Sequence, residues 1–395
     1  MEHQLTLISL ASRQIWPQVL SVINEIPSRL ILFHSSDQAE SKRPAERLKA
    51  FFEAPAFPHP MTVELRSIPH DRFGEIVDAI AKAADEHGLD EGNCRVNITG
   101  GNKLMVMAAS EWCRLAGIPF FYLERDLRVF PFVPRGTDLE AQLDYKLNPH
   151  LAKNLDPLEL LRCQLEPAEI TSPGQRLELN ERGRAAPENE FQILLKKGFD
   201  FRTYLAMDAE EPDSRAGDGL EYATAFAVLK LGVPFVQRSV RLIPRARGAS
   251  GREEGELDLV FNWAGKLWLV DCKDRKDAGS RMEKLRTLIL AQAALTPQIG
   301  EQLEKLSSEL RERDLKPLKE DLLSISEVAG LLGRVICVRR GELPPQALEF
   351  ARSRGLAVVL KDYLLRDLRP LLHPGSPASA DQFQALLAAR TRATA

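Results

Sequence analysis

"GELDLVFNWAGKLWLVDCKDRK", residues 255–276, sets acidic residues and a lysine within what otherwise reads as an apolar β-hairpin. Residues two apart in a strand share a face, so Leu267, Leu269, Asp271 and Lys273 point one way and Trp268, Val270 and Cys272 the other. On the preceding strand Glu256, Asp258 and Val260 share a face. A turn centred on Ala264–Gly265, whether two or four residues long, sets Asp258 opposite Asp271, with Cβ atoms about 4.5–5.5 Å apart. Ala-Gly is not a strong tight-turn pair, and a one-residue bulge would shift this register. Two carboxylates facing each other in an apolar sheet are unstable unless a cation joins them. A hard divalent ion with oxygen ligands suits that geometry. Lys273, one pleat further on, is placed to orient a water and offset charge on a scissile phosphate. Most Asp-x-Lys triplets in strands are solvated edges or surface ion pairs, so this one gains its weight from what surrounds it.

Around the hairpin, residues 206–372 read as an α/β unit. A helix, GLEYATAFAVLKLG (219–232), precedes the strand FVQRSVRLI (235–243). After the hairpin come a long helix or helix pair (281–313), the strand RVICVRR, a helix from PPQALEFARSRG, the strand LAVVL and a closing helix. Residues 373–395 form a tail rich in small residues. Just before the hairpin runs QRSVRLIPRARGASGR, with Arg238, Arg241, Arg245, Arg247 and Arg252. This run is either a solvated strand edge and loop or a track for a phosphate backbone.

The order helix-strand-strand-strand-helix-strand, with Glu221, Asp258 and Asp271-Cys272-Lys273 in sequence, resembles the PD-(D/E)XK nuclease superfamily over residues 215–360. The resemblance implies that Asp258, Asp271 and the main-chain carbonyl of Cys272 ligate Mg²⁺ or Mn²⁺, with Glu221 as an additional carboxylate. Lys273 would position the attacking water. Asp271 stands where the superfamily more often has Glu.

Residues 1–148 are organised differently. QLTLISL, RLILFHS, TVELRSI, RVNITG and IPFFYLE read as strands separated by helical stretches. In FGEIVDAIAKAADEHG, Phe73, Ile76, Val77, Ile80 and Ala84 fall at helical spacing and Gly88 supplies the stop. Such alternation implies a Rossmann-like parallel sheet wrapped by helices, with residues 127–148 as a trailing hairpin or arm. Thr99-Gly100-Gly101-Asn102-Lys103 falls where a central strand turns into a helix, at the carboxyl edge where ligands of such sheets bind. Paired glycines let backbone approach an anion, a helix N-terminus attracts phosphate, and Lys103 adds charge. Tight strand-to-helix turns need glycine in any case. The turn is neither GxGxxG nor a Walker loop, which disfavours dinucleotides and ATP. The first crossover (Ser9, Leu10, Ala11, Ser12, Arg13, Gln14) and Ser35-Ser36-Asp37 bring hydroxyls and charge to the same edge.

The stretch NxTGGNK, residues 97–103, makes this half resemble a CARF domain, the CRISPR-associated Rossmann fold. Joined to a PD-(D/E)XK domain, the chain is similar to ancillary nucleases of type III CRISPR systems. That implies a homodimer binding a cyclic oligoadenylate, most often the tetra-adenylate, across its two CARF domains. It also implies nuclease activity without sequence specificity on DNA or RNA. The activator-binding residues would come from Ser9, Ala11, Ser12, Arg13, Ser35 and Thr99 to Lys103.

Composition sets the outer bounds. The 395 residues are enough for two ordinary domains or three small ones, and 44% hydrophobic with 28% charged is that of a globular protein. The net charge of −3 means that any nucleic-acid contact comes from a local basic patch. The five cysteines (94, 113, 163, 272, 337) form no CxxC pair, so neither a zinc site nor a disulfide framework is indicated. No signal peptide and no apolar run near the roughly 18 residues of a membrane span is present, so a cytoplasmic protein is the expectation. Residues 149–205 read as a linker or small helical subdomain, with PLELLRCQL and ENEFQILLKKG as helical pieces. Two rival readings are a CARF-like transcriptional regulator with an inactive second domain, and a repair or restriction nuclease that needs no cyclic nucleotide.

Overall fold

The computed structural model describes residues 5–124, 126–136, 138–148, 152–164, 170–179, 185–186, 214–242, 255–273, 333–340, 343 and 345–374. The chain divides into two compact units, the first made of residues up to Ile170 together with Asn262–Leu267, and two separate sheets run through it. In the first unit the strands are β1 (Thr6–Leu10), β2 (Arg29–His34), β3 (Thr62–Ser67), β4 (Cys94–Asn97) and β5 (Phe120–Leu123). They lie in the order β3-β2-β1-β4-β5, all parallel. The helices are α1 (Trp16–Glu25), α2 (Arg43–Phe52), α3 (Phe73–His87) and α4 (Lys103–Ala116). The strand order reverses at β1/β4, which places the expected ligand edge where those two strands end.

Every residue of β1 is buried, as a central parallel strand covered on both faces requires. On one side Ile8, Leu10, Ile31 and Phe33 pack with Ile76, Ile80 and Ala84 of α3 and Met105, Ala108 and Trp112 of α4. Fully burying a side chain of this size contributes roughly 1.5–3 kcal/mol. Gly88 ends α3 at φ +58, as its position in the sequence predicts. Phe73 departs from the expected apolar stripe: it opens the helix and remains 38% exposed.

Of the two readings of residues 127–148, hairpin or arm, the structure shows the hairpin, and it is part of the sheet. Strands β6 (Arg128–Arg135), β7 (Asp138–Ala141) and β8 (Tyr145–Lys146) continue the first sheet antiparallel from the edge of β5. Phe120 and Phe132 stack across that junction at 5.1 Å.

The segment read from sequence as a linker is divided. Helix α5 (Pro157–Gln164) belongs with the first unit, where Arg47 Nε of α2 donates to the Cys163 carbonyl at 2.8 Å. Strands β9 (Ile170–Ser172), β10 (Gln175–Leu179) and β11 (Ala185–Ala186) enter the second sheet instead. That sheet runs β11-β10-β12-β13-β14-β15-β16, with β12 (Phe235–Leu242), β13 (Gly255–Trp263), β14 (Lys266–Lys273), β15 (Arg334–Arg339) and β16 (Ala357–Leu360). The β10-β12-β13 pairings are antiparallel and β14-β15-β16 are parallel. Helix α6 (Ser214–Lys230) precedes β12, and α7 (Pro345–Ser353) and α8 (Leu364–Leu372) flank β16. The predicted helices at 188–198 and 281–313, and Arg245, Arg247, Arg252 and the tail from 375, lie outside the described residues.

All five cysteines are unpaired and buried. Burial pushes the thiols of Cys94, Cys163 and Cys337 up to about 12, and those of Cys113 and Cys272 well above their ordinary value. Among the described residues no helix is long and apolar enough to cross a membrane.

Gly100 and Gly101 are required for different reasons. A Cβ on Gly100 would lie 1.9 Å from the Leu10 carbonyl oxygen and 2.4 Å from Gln18 Nε2, so only glycine lets the β4 loop close against the end of β1. Gly101 sits at φ +76, with its nearest neighbours beyond 3 Å. Gly100→Ala should therefore lower unfolding stability by about 3 kcal/mol. Gly101→Ala should cost about 1–2 kcal/mol. Denaturant titration of both variants checks the ranking, and an equal or reversed loss would contradict it.

Candidate functional site

The carboxyl edge of the first sheet gathers the residues that the sequence points to, but uses them unevenly. Ser9 is fully buried in register with Asn97, and its Oγ has no hydrogen-bond partner. Asn97 donates to Ser21 Oγ at 2.9 Å and accepts from the Thr99 amide at 2.9 Å. Thr99 Oγ1 accepts from the Leu123 amide at 2.8 Å. Asn102 caps α4 by accepting from the Met105 amide, and its Nδ2 donates to the His70 carbonyl, both at 2.9 Å. Thr99 and Asn102 therefore shape the turn with their side chains. Ala11 is buried, and the buried Ser35 amide donates to Ser41 Oγ, which donates to the Ala11 carbonyl. Asp37 accepts from the amides of Ala39 and Glu40 and so closes its own turn. That leaves Lys103 and Arg13 as exposed cations at the edge, with Ser12 half-buried beside them. Arg13 lies 3.7 Å from Glu40.

Gln18 and Asn97 carry this edge as much as any residue expected there. Gln18 Nε2 donates to the Leu10 carbonyl at 2.8 Å, while its Oε1 is buried without a partner. Their signal in the sequence was a polar residue inside an apolar run, WPQVLSVI and CRVNI.

In the second sheet the hairpin closes through two residues, Ala264 at φ +52 and Gly265 at φ +67, the left-handed pair of a type I′ turn. Counting back from that turn sets Phe261 across from Trp268 and Asp258 across from Asp271. The stacking of Phe261 on Trp268, 5.9 Å apart with planes 4° from parallel, agrees with that register. The Cys272 amide donates to Asp258 Oδ2 at 2.5 Å. Asp271 is 6% exposed. Lys273 Nζ lies 2.8 Å from its Oδ1, and Arg339 Nη2 of β15 lies 3.6 Å from its Oδ2, which has no hydrogen-bond partner.

Burial pushes the Asp258 carboxyl up to about 6; the Cys272 amide pulls it back, and the charge of Asp271 pushes it up again. Asp258, Glu221 and Asp271 all add to the upward shift that burial imposes on the Cys272 thiol, so the three acids share one neighbourhood. Glu221 is nonetheless turned to Arg238, with Nε 2.8 Å from Oε2. The Arg238 guanidinium lies over the Tyr222 ring at 4.3 Å, and Tyr222 donates to Gln175 Oε1 at 3.0 Å. Arg238 thus sits inside the sheet in an ion pair, whereas Arg241 is exposed on β12 in register with Glu256. Among the described residues no three His, Cys, Asp or Glu side chains converge as a metal-holding group.

Beside the carboxylates the backbone is irregular. Ser239 lies between the Arg238–Leu259 and Val240–Leu257 pairs and takes φ +55, a left-handed conformation that costs about 1–2 kcal/mol. Gly174 permits it, since a Cβ there would lie 1.9 Å from the Arg238 carbonyl oxygen. Counting along β13 places this kink across from Asp258.

With that geometry in view, residues 6–149 match the family described as the Card1 CARF domain. The chain is similar in fold to Can2 from Sulfobacillus thermosulfidooxidans, solved with cyclic tetra-adenylate, at 13% identity and a TM-score of 0.54, over 93% of this chain and 99% of that one. Protein VC1899 from Vibrio cholerae is similar at 14% identity and a TM-score of 0.53, over 93% of this chain and 97% of the other. A type III CRISPR defence DNA nuclease activated by cyclic oligoadenylate is similar at 17% identity and a TM-score of 0.54, over 95% of this chain but 52% of that nuclease. At these identities the likeness is one of fold. No curated protein matches.

The raised Asp258 carboxyl makes a stability prediction. Its folded pKa of about 6 lies above the ordinary 3.8, so the folded state holds the proton more tightly. Stability should fall as pH rises from about 4 to 6 and stay lowered above that, by about 3 kcal/mol. Asp258→Asn, which keeps an oxygen for the Cys272 amide, should remove that loss and be the more stable protein at pH 7.5 without divalent ions. Melting curves at pH 4 and 7.5 test this; an asparagine variant less stable at both would refute it.

Proposed function

We propose that the chain is a metal-dependent endonuclease, without sequence specificity, switched on by a cyclic oligoadenylate. The observation that carries the enzymatic half is Asp271: a buried carboxylate set across from Asp258, with Lys273 on one oxygen and the other without a hydrogen bond. The donor set fits a hard ion, since Asp258, Asp271 and the Cys272 carbonyl are all oxygens. These would hold Mg²⁺ or Mn²⁺, which would supply Lewis acidity at the scissile phosphate and ease deprotonation of water. Lys273, its side chain 37% exposed beside Asp271, would orient the attacking water while offsetting phosphate charge. Glu221 stands in reserve as a further carboxylate, held by Arg238. The exposed Arg241 would meet the DNA or RNA backbone, along with Arg245 and Arg247.

The sensing half rests on the match of residues 6–149 to the Card1 CARF domain and on the fold shared with a protein solved with cyclic tetra-adenylate. Anionic phosphates of such a ring suit the α4 N-terminus, Lys103 and Arg13. A ring with two-fold symmetry is bound by two copies of the edge, so the working unit is a homodimer. Ligand binding can switch activity only through differential affinity for two states of that dimer.

The test is incubation of fluorescent DNA and RNA with Mn²⁺ or Mg²⁺, with and without cyclic tri-, tetra- and hexa-adenylate. Cleavage should need both metal and ring. Lys273→Ala should lower turnover by about 100-fold or more while leaving metal binding in place. Asp271→Asn should abolish metal binding, and wild-type cleavage by that variant would sink the assignment. Lys103→Ala should raise the ring concentration needed without changing metal affinity. Full activity without any ring would remove the switch and favour a ligand-independent nuclease.

A further inference from the structure

Arg339 is a buried cation that the proposed chemistry does not use. It lies on β15 in register with Lys273 and is 3% exposed, too deep to touch a nucleic acid. Its Nη2 is 3.6 Å from Asp271 Oδ2, yet its Nε and Nη2 make no hydrogen bond, and neither does that oxygen. A buried guanidinium with unmade N–H bonds is costly, and an apolar side chain there would be the more stable choice. Arg remains charged at all working pH values, so this is a fixed charge rather than a switch.

The fixed charge lies among carboxylates. Among the described residues Arg238 faces Glu221, while Lys273 and Arg339 both face Asp271.

We propose that Arg339 is a positioning residue that stands in for the metal ion. Its guanidinium keeps Asp271 aligned beforehand, and its charge keeps the ion's affinity low until substrate phosphates add negative charge. The inference rests on the metal-dependent nuclease reading above. Through Asp271, Arg339 makes metal binding and substrate binding depend on one another.

The sign of one measurement tests it. Mn²⁺ binding to the full chain, without nucleotide or substrate, is followed by electron paramagnetic resonance and calorimetry for the wild type, Arg339→Gln and Arg339→Lys. Losing the charge should tighten Mn²⁺ binding at least about tenfold, while lysine should restore the wild-type value to within about threefold. A merely structural arginine predicts the reverse, weaker binding in the glutamine variant. Unchanged or weaker binding in that variant, with a wild type that binds Mn²⁺, overturns this inference and leaves the nuclease reading standing. A wild type that binds no divalent ion removes the nuclease reading, and this inference with it. If Arg339→Gln does not fold alone, recovery of its melting transition by Mn²⁺ supports the proposal, and failure to fold with or without the ion overturns it.

Discussion

A carboxylate inside an apolar sheet must be balanced where it lies, because water is not there to do it. Asp271 sits near the carboxyl end of β14, after Leu267, Leu269 and Val270, all buried. The surrounding polar groups follow from that constraint. Lys273 two residues along and Arg339 on the adjacent strand each face one of its oxygens. Asp258 accepts from the Cys272 amide, but burial outweighs that bond and its carboxyl rises. Glu221 has its own arginine, stacked on Tyr222 so that the guanidinium is both paired and covered. The same low dielectric that makes the arrangement costly lets a small change of charge have a large effect.

Irregular backbone gathers at both candidate sites. At the first sheet, Gly100 lets the β4 loop touch the end of β1, and Gly101 turns it left-handed into α4. At the second, Gly174 presses on β12 where Ser239 is left-handed, and Ala264–Gly265 fixes the hairpin. Chain approach closer than a Cβ permits is what brings side chains from separate strands within reach of one another.

Local patterns carried most of what the sequence foretold. Strands β1 to β5 were legible from β-branched and aromatic runs, α3 from its spacing and Gly88, and the hairpin from period-two alternation around Ala264–Gly265. What escaped depends on partners far along the chain. QRLEL, residues 175–179, looks like a polar connection until β12, some sixty residues on, offers it a ladder. Nothing in the strand RVICVRR singles out Arg339, and its place beside Lys273 and its burial show only once β15 lies against β14. Arg238 belonged to a run of arginines read as one object, though it is ion-paired within the sheet and Arg241 faces solvent. Gly100 was read as openness to an anion, whereas the space its missing Cβ leaves is filled by Leu10 and Gln18.

The five buried cysteines have a practical corollary. Maleimides and methanethiosulfonates react with exposed thiolates, and these thiols are both covered and reluctant to ionise. A single cysteine introduced on the outer face of α4 or beside Arg241 would therefore be the one group such reagents modify under native conditions. Paired spin labels or fluorophores could then report distances within either unit on the wild-type background, with no native cysteine replaced.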